Sequence, residues 1–210
     1  MVKRVVLYTF GLFIAAFGVV FAVNSELGVS PVSSFPYVIS LIIEVDLGIV
    51  VTAALLFYIL LQAIILRKDF KIINLTQILF SMMFGYFVDL GRVILGDFRF
   101  PTYFGQLGML AISITLLSTG ILCFMKAKLV PLPAEGLVNT IAEKLPNGKF
   151  HRVKMVMDST LVLLGIVFAL VFLGYLRGIR EGTLVSAVLI GKLMPYISKV
   201  LDPLLAKLGL

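Results

Sequence analysis

The residues of this chain that can do chemistry are few, and most place a charge or a hydroxyl inside apolar surroundings. Lys192 stands near the middle of an apolar stretch, roughly 12 Å from either end at 1.5 Å per helical residue. An ammonium there costs a few kcal/mol unless it is paired or wetted. It therefore either snorkels or pairs structurally, or it faces a polar cavity and meets an anionic substrate group. Pro195, three residues on, has no N–H to donate and frees carbonyls beside it. Ser30, Ser33 and Ser34 surround Pro31, where unpaired N–H groups and hydroxyls either cap a helix or hold a carboxylate, sulfonate or phosphate. Tyr37 and Asn139 fall one turn into two short segments and add hydrogen-bonding groups. With Glu135, these residues form the candidate substrate site, and convergence of Lys192 on the Ser30–Ser34 turn would select a small organic anion.

A second group suits coupling or gating. Asp89 and Arg92 are three apart and can pair on one helix face. Asp158 lies close to Arg152 and Lys154, where it caps, pairs or relays protons. Glu135 suits a helix N-terminus electrostatically, and a gating or proton-coupling role is its alternative. Cys123 is the only cysteine and His151 the only histidine, so neither a disulfide framework nor a metal site is expected. His151 reads as a solvated residue of a basic loop. HExxH, GxSxG and paired intramembrane acids at catalytic spacing are all missing, which argues against an enzyme, and no cofactor is implied.

The elements that must position these residues follow from composition. Hydrophobic residues make up 60% of the 210, mean hydropathy is +1.12, and 14% are charged, which excludes a soluble domain and implies an integral membrane protein. Six stretches reach the roughly 20 residues that a bilayer core demands: Val5–Val23, Leu47–Leu66, Leu75–Leu95, Gly105–Met125, Met155–Tyr175 and Thr183–Ser198, the last being the shortest. Two leftovers, Pro31–Ile43 and Pro133–Lys144, are too short to cross. Each opens with proline, which suits a first helical turn, so both are expected as half-helices, re-entrant or interfacial. Residues 1–23 resemble a secretory signal in their charge order, but the long apolar run and the spans that follow make this the first transmembrane helix.

Basic residues orient the spans. With the N-terminus cytoplasmic, thirteen Lys and Arg fall on the cytoplasmic side and four, Arg92, Arg99, Arg177 and Arg180, on the other. That is the positive-inside asymmetry, and it places both termini in the cytoplasm. The net charge of +7 then reflects topology and anionic headgroups; no basic run interleaved with aromatics points to nucleic acid.

The order of elements occurs twice: long span, proline-opened short helix, two long spans. Residues 1–100 hold the first copy and 101–210 the second. Between 7–40 and 109–142 only four identities align, Gly18/Gly120, Leu27/Leu129, Pro31/Pro133 and Ile39/Ile141, so the repeat rests on pattern. Gly85 and Gly191 also fall at similar places in the third span of each copy. Three spans per copy force opposite orientations, giving an all-α polytopic protein of two inverted repeats, an architecture in which transporters bind substrate where the copies meet. Gly11, Ala15, Gly18 and Ala22 share one face of the first span, as Gly108, Ala111, Thr115 and Ser118 do in the fourth. Small faces permit close helix approach in lipid, either within the chain, as a seam between the copies, or as a docking face for a second copy or a partner subunit.

The Leu27-Gly28-Val29-Ser30-Pro31 turn after a glycine-containing first span, Asp89 closing the third span, and Gly182-Thr183 with Gly191 in the last resemble the YczE/YyaS/YitT group of bacterial membrane proteins. Members often carry Pro-Trp-Asp in the turn, where this chain has Pro31-Val32-Ser33. The resemblance implies a multi-pass protein of the bacterial inner membrane and a transporter, without naming a substrate. Carrier or facilitator of a small anionic solute is the leading expectation. The alternative is the substrate-binding subunit of a multicomponent, energy-coupling uptake machine; an intramembrane enzyme ranks last.

Overall fold

The computed structural model describes residues 1–146 and 148–207. Eight α-helices account for nearly all of them: α1 (Val2–Ser25), α2 (Pro31–Ile43), α3 (Leu47–Leu66), α4 (Thr76–Leu95), α5 (Tyr103–Lys126), α6 (Pro133–Lys144), α7 (Phe150–Phe168) and α8 (Glu181–Lys207). Two 3₁₀ turns join α3 to α4, and a π turn at Ala169–Leu173 prolongs α7. Six of these helices are long and apolar enough to cross a membrane. In a bilayer core every backbone polar group needs an internal partner, which a helix supplies to itself.

Both short helices begin at their proline. Ser30 and Leu132, the residues before them, take extended backbone angles, as the steric demand of the following ring requires. The last span departs from expectation: α8 is the longest helix, 27 residues through Pro195 and Pro203. Proline is tolerated within membrane helices, so Pro195 does not end the span where hydropathy fades. In α7 the helix likewise starts before the apolar run, at Phe150, and carries Lys154 and Asp158 inward on its first turns.

Helix ends tie together at two opposite poles. At one, Arg99 pairs with Glu26 at 2.6 Å, Arg180 Nη1 donates to the Glu26 carbonyl, Asn24 Nδ2 donates to the Gly96 carbonyl, and Val29 and Gly182 N–H groups bond Gly178 and Leu27 carbonyls. Gly28 holds this turn at φ +111°, where a Cβ would press on Thr183 Oγ1 and the Arg180 nitrogen; glycine alone takes that angle without strain. At the other pole Lys144 pairs with Asp69 at 2.9 Å and Lys126 with Asp202 at 2.6 Å.

The central seam is α1 against α5. Gly11 faces Gly120 so closely that a Cβ on Gly11 would lie 2.7 Å from the Gly120 oxygen, and Ser113 Oγ donates to the Gly18 carbonyl at 2.7 Å. All of Gly11, Ala15, Gly18 and Ala22 are buried. Of the uses open to this face, packing within the chain is the one it serves, and it is not left free for a partner. On α5 the seam consists of Ser113, Leu117, Gly120 and Phe124; Ala111 and Thr115 are exposed and Gly108 meets nothing. Helix α4 packs on α1 and α8 on α5, while each short helix packs against both α3 and α7. Helices α3 and α4 are tightly joined; α7 and α8 share no such interface.

Candidate functional site

One cavity, about 930 Å³, occupies the space that the short helices leave. Its wall takes Ser30, Pro31, Val32, Ser33 and Pro36 from α2, and Leu132, Ala134 and Glu135 from the start of α6, so both N-termini border the same space. Aliphatic and aromatic side chains of α1, α3, α4 and α5 close the back, among them Val19, Leu55, Phe84 and Leu117. Helix α7 lines one side from Phe150 to Ile166, about 24 Å of helix at 1.5 Å per residue. Helix α8 lines the other from Thr183 to Met194. Because those two helices do not pack together, Met155 and Leu163 on one rim and Leu184 and Val188 on the other are at once cavity-lining and outwardly exposed.

Charge enters at one end. Lys154 Nζ pairs with Asp158 Oδ1 at 2.9 Å, the i,i+4 spacing that suits a helix pair. Glu135 lies opposite on α6, its Oε2 wholly buried and without a hydrogen bond. Helix α6 is not a span; there burial pushes the Glu135 carboxyl upward from its ordinary range and the Lys154 ammonium draws it partly back. Ser186 is fully buried in the α8 wall, and its Oγ also has no partner.

The expected site residues divide. Ser30 and Ser33 line the cavity and hydrogen-bond each other at 3.1 Å. Ser34 is fully buried and donates to the Pro31 carbonyl at 2.6 Å, so its hydroxyl is spent within the first turn of its own helix. Tyr37 lines a different pocket, about 220 Å³, at the arginine-bearing pole with Arg99, Arg177 and Arg180. Asn139, one turn beyond Glu135 on α6, is exposed and does not line the cavity. Lys192 is the main correction: it is exposed on α8 and absent from the cavity wall. At 100° per residue it points away from Ile190 and Met194, which do line that wall. The cation expected to meet the Ser30–Ser34 turn is not there.

Among the coupling candidates, Asp158 pairs with Lys154 as its position suggested. Asp89 and Arg92 do not form an ion pair among the described residues; Asp89 Oδ1 accepts from the Gly48 N–H at 2.6 Å and Arg92 is exposed. Tyr58, Thr183, Ser186 and Lys154 were not singled out by sequence as site residues. Thr183 and Ser186 are three apart, which places them on one face of α8, and the Lys154/Asp158 spacing was the other available signal.

No curated protein and no solved structure matches this chain. Residues 2–199 match the model of a family of unknown function, DUF6198, and the chain belongs to that family.

Proposed function

We propose that this protein is a membrane carrier or facilitator of a small organic solute, with its site between two inverted repeats and both termini in the cytoplasm. One observation carries the reading: a single cavity in the interior of the helix bundle receives the N-termini of both proline-opened helices. The packing partners support the repeat. Exchanging each helix of the first copy for its counterpart turns α4 on α1 into α8 on α5, and α2 on α7 into α6 on α3, and both members of each exchange are present. Half-helix N-termini at a shared cavity are what carriers of this architecture use to hold substrate groups. The clustering of thirteen basic residues toward one pole supports the orientation, and the likeness to the YczE/YyaS/YitT group supports a bacterial inner membrane.

The energy-coupled subunit reading loses its docking face, since the small residues of α1 are spent against α5. The carrier reading is tested in proteoliposomes loaded with a defined mixture of amino acids, carboxylates, amines and nucleosides. Release of each species is followed by mass spectrometry against protein-free liposomes. At least one chemical class should leave faster with the wild type and not with Ser33→Trp, which fills the cavity. Release of every class at the protein-free rate sinks the reading.

A further inference from the structure

The wall of the cavity is overwhelmingly aliphatic and aromatic, yet it holds three ionisable side chains, Lys154, Asp158 and Glu135. One ammonium therefore serves two carboxylates. Lys154 is already 2.9 Å from Asp158 Oδ1, while Glu135 Oε2 is buried with no hydrogen bond at all. A carboxylate taken out of water costs several kcal/mol unless a cation or donors replace its hydration. The side chains within electrostatic reach of Glu135 from the elements around it are Tyr8 on α1, Tyr58 on α3, and Lys154 and Asp158 on α7, and the backbone N–H of Glu135 itself, in the first turn of α6, partly offsets its burial. Only one of these side chains is cationic, and it is shared.

Access is the second observation. The cavity is open along the line where α7 and α8 fail to pack, and Met155, Leu163, Leu184 and Val188 on its rims are apolar and exposed on helices that cross the membrane, with the exposed Ser159 among them and His151 at the end of α7. A solute arriving that way comes from the hydrocarbon and must itself be apolar over most of its surface. An apolar body fits the walls of α1, α3 and α5; a compact positive centre fits the vacancy in charge at Glu135. An anion finds the N-terminal turns of α2 and α6 but no free cationic side chain, since Lys192 lies outside and Lys154 is engaged.

We propose that the cavity binds a lipophilic monocation, an amine or onium centre on an apolar body, which enters from the bilayer between α7 and α8 and sets its charge against Glu135. This deepens the carrier reading and rests on it for the site.

Tetraphenylphosphonium and tetraphenylborate have the same shape and opposite charge, and equilibrium binding of each to purified protein separates electrostatics from fit. Wild type should bind the phosphonium at least about tenfold more tightly than the borate. Glu135→Gln should remove that preference, Glu135→Asp should keep most of it, and Ala187→Trp should abolish binding of both. Equal or tighter borate binding, or phosphonium binding that Glu135→Gln leaves unchanged, overturns the proposal; so does phosphonium binding that survives Ala187→Trp. Should the Glu135 variants fail to fold, the wild type alone decides: its preference for the phosphonium over the borate must be present, and its absence is a refutation. The flux experiment stays separate. Carboxylate transport without phosphonium binding removes the cation class and keeps the carrier, whereas bound phosphonium with no flux of any class keeps the site and removes the carrier.

Discussion

Gly85 meets Gly48 backbone to backbone across the α3–α4 seam: a Cβ on Gly48 would collide with the Gly85 oxygen, and one on Gly85 with Thr52 Oγ1 and the Gly48 oxygen. Gly191, which falls at a similar place in the last span, has nothing within 4 Å of where its Cβ would stand. One glycine thus closes a seam and the other faces an open space. Gly85→Ala should destabilise by about 1–3 kcal/mol, the usual toll of overpacking, whereas Gly191→Ala should leave thermal unfolding in detergent unchanged. A comparable loss in both variants would mean that α7 and α8 pack together in solution.

Asp89 anchors the start of α3 through the Gly48 N–H at 2.6 Å, so its worth lies in an accepted hydrogen bond and not in Arg92. Asp89→Ala should cost about 1.5–3 kcal/mol, Asp89→Asn less because an acceptor oxygen remains, and Arg92→Ala close to nothing. Urea or thermal unfolding of the three variants checks the order; an Arg92→Ala loss equal to that of Asp89→Ala would restore the ion pair.

Gln62 holds a short helix in place from within the bundle. Its Nε2 donates to the Pro133 carbonyl at 3.0 Å and to Gln77 Oε1 at 3.2 Å, and both glutamines are almost fully buried. Gln62→Leu would leave the Gln77 amide oxygen without its partner, at about 1–3 kcal/mol where no water replaces it, and would remove the tie from α3 to the Pro133 carbonyl at the start of α6. We expect the start of α6 to loosen before the bundle does. A cysteine placed at Ala134, with Cys123 replaced, should react faster with maleimide in the Gln62→Leu background at temperatures well below unfolding. An unchanged rate would mean that packing alone fixes α6.

Proline and hydropathy made the frame of this protein legible. Pro31–Ile43 and Pro133–Lys144 appear with the bounds read from sequence, because a proline-opened helix too short to span has few alternatives. Which face of a span looks inward was less accessible. In α1 the small residues mark one side and that side is the seam; in α5 the chosen side, Gly108 to Thr115, looks outward, because both sides of that helix carry small residues. Lys192 misleads for a related reason: α8 carries polar groups on more than one side, Thr183 and Ser186 towards the cavity and Lys192 away from it, so a charge within the span does not by itself mark the inward face. Glu135 was visible as a charge at a helix start, yet only the three-dimensional arrangement places Lys154 and Asp158 on the opposite wall.

Glu135 also makes a prediction about stability that needs no ligand. Its carboxyl is displaced upward by burial, so between the ordinary carboxylate range and the displaced value the folded chain binds a proton that the unfolded chain does not. Stability must then fall as pH rises through that window, since the native state there has more protons to lose. Glu135→Gln, which stays neutral, should flatten this part of the pH profile and stabilise the protein at neutral pH. Lys154→Met should do the opposite. Lys154 and Asp158 keep about a quarter of their side-chain surface exposed, 27% and 22%, so losing the pair should cost only about 1–2 kcal/mol. The slope should steepen, because two carboxylates then face each other across the cavity with no ammonium between them. Thermal unfolding of the three proteins from about pH 4 to about pH 8 gives the comparison. A wild-type profile parallel to that of Glu135→Gln would show that the Glu135 carboxylate finds its counter-charge in the folded protein after all.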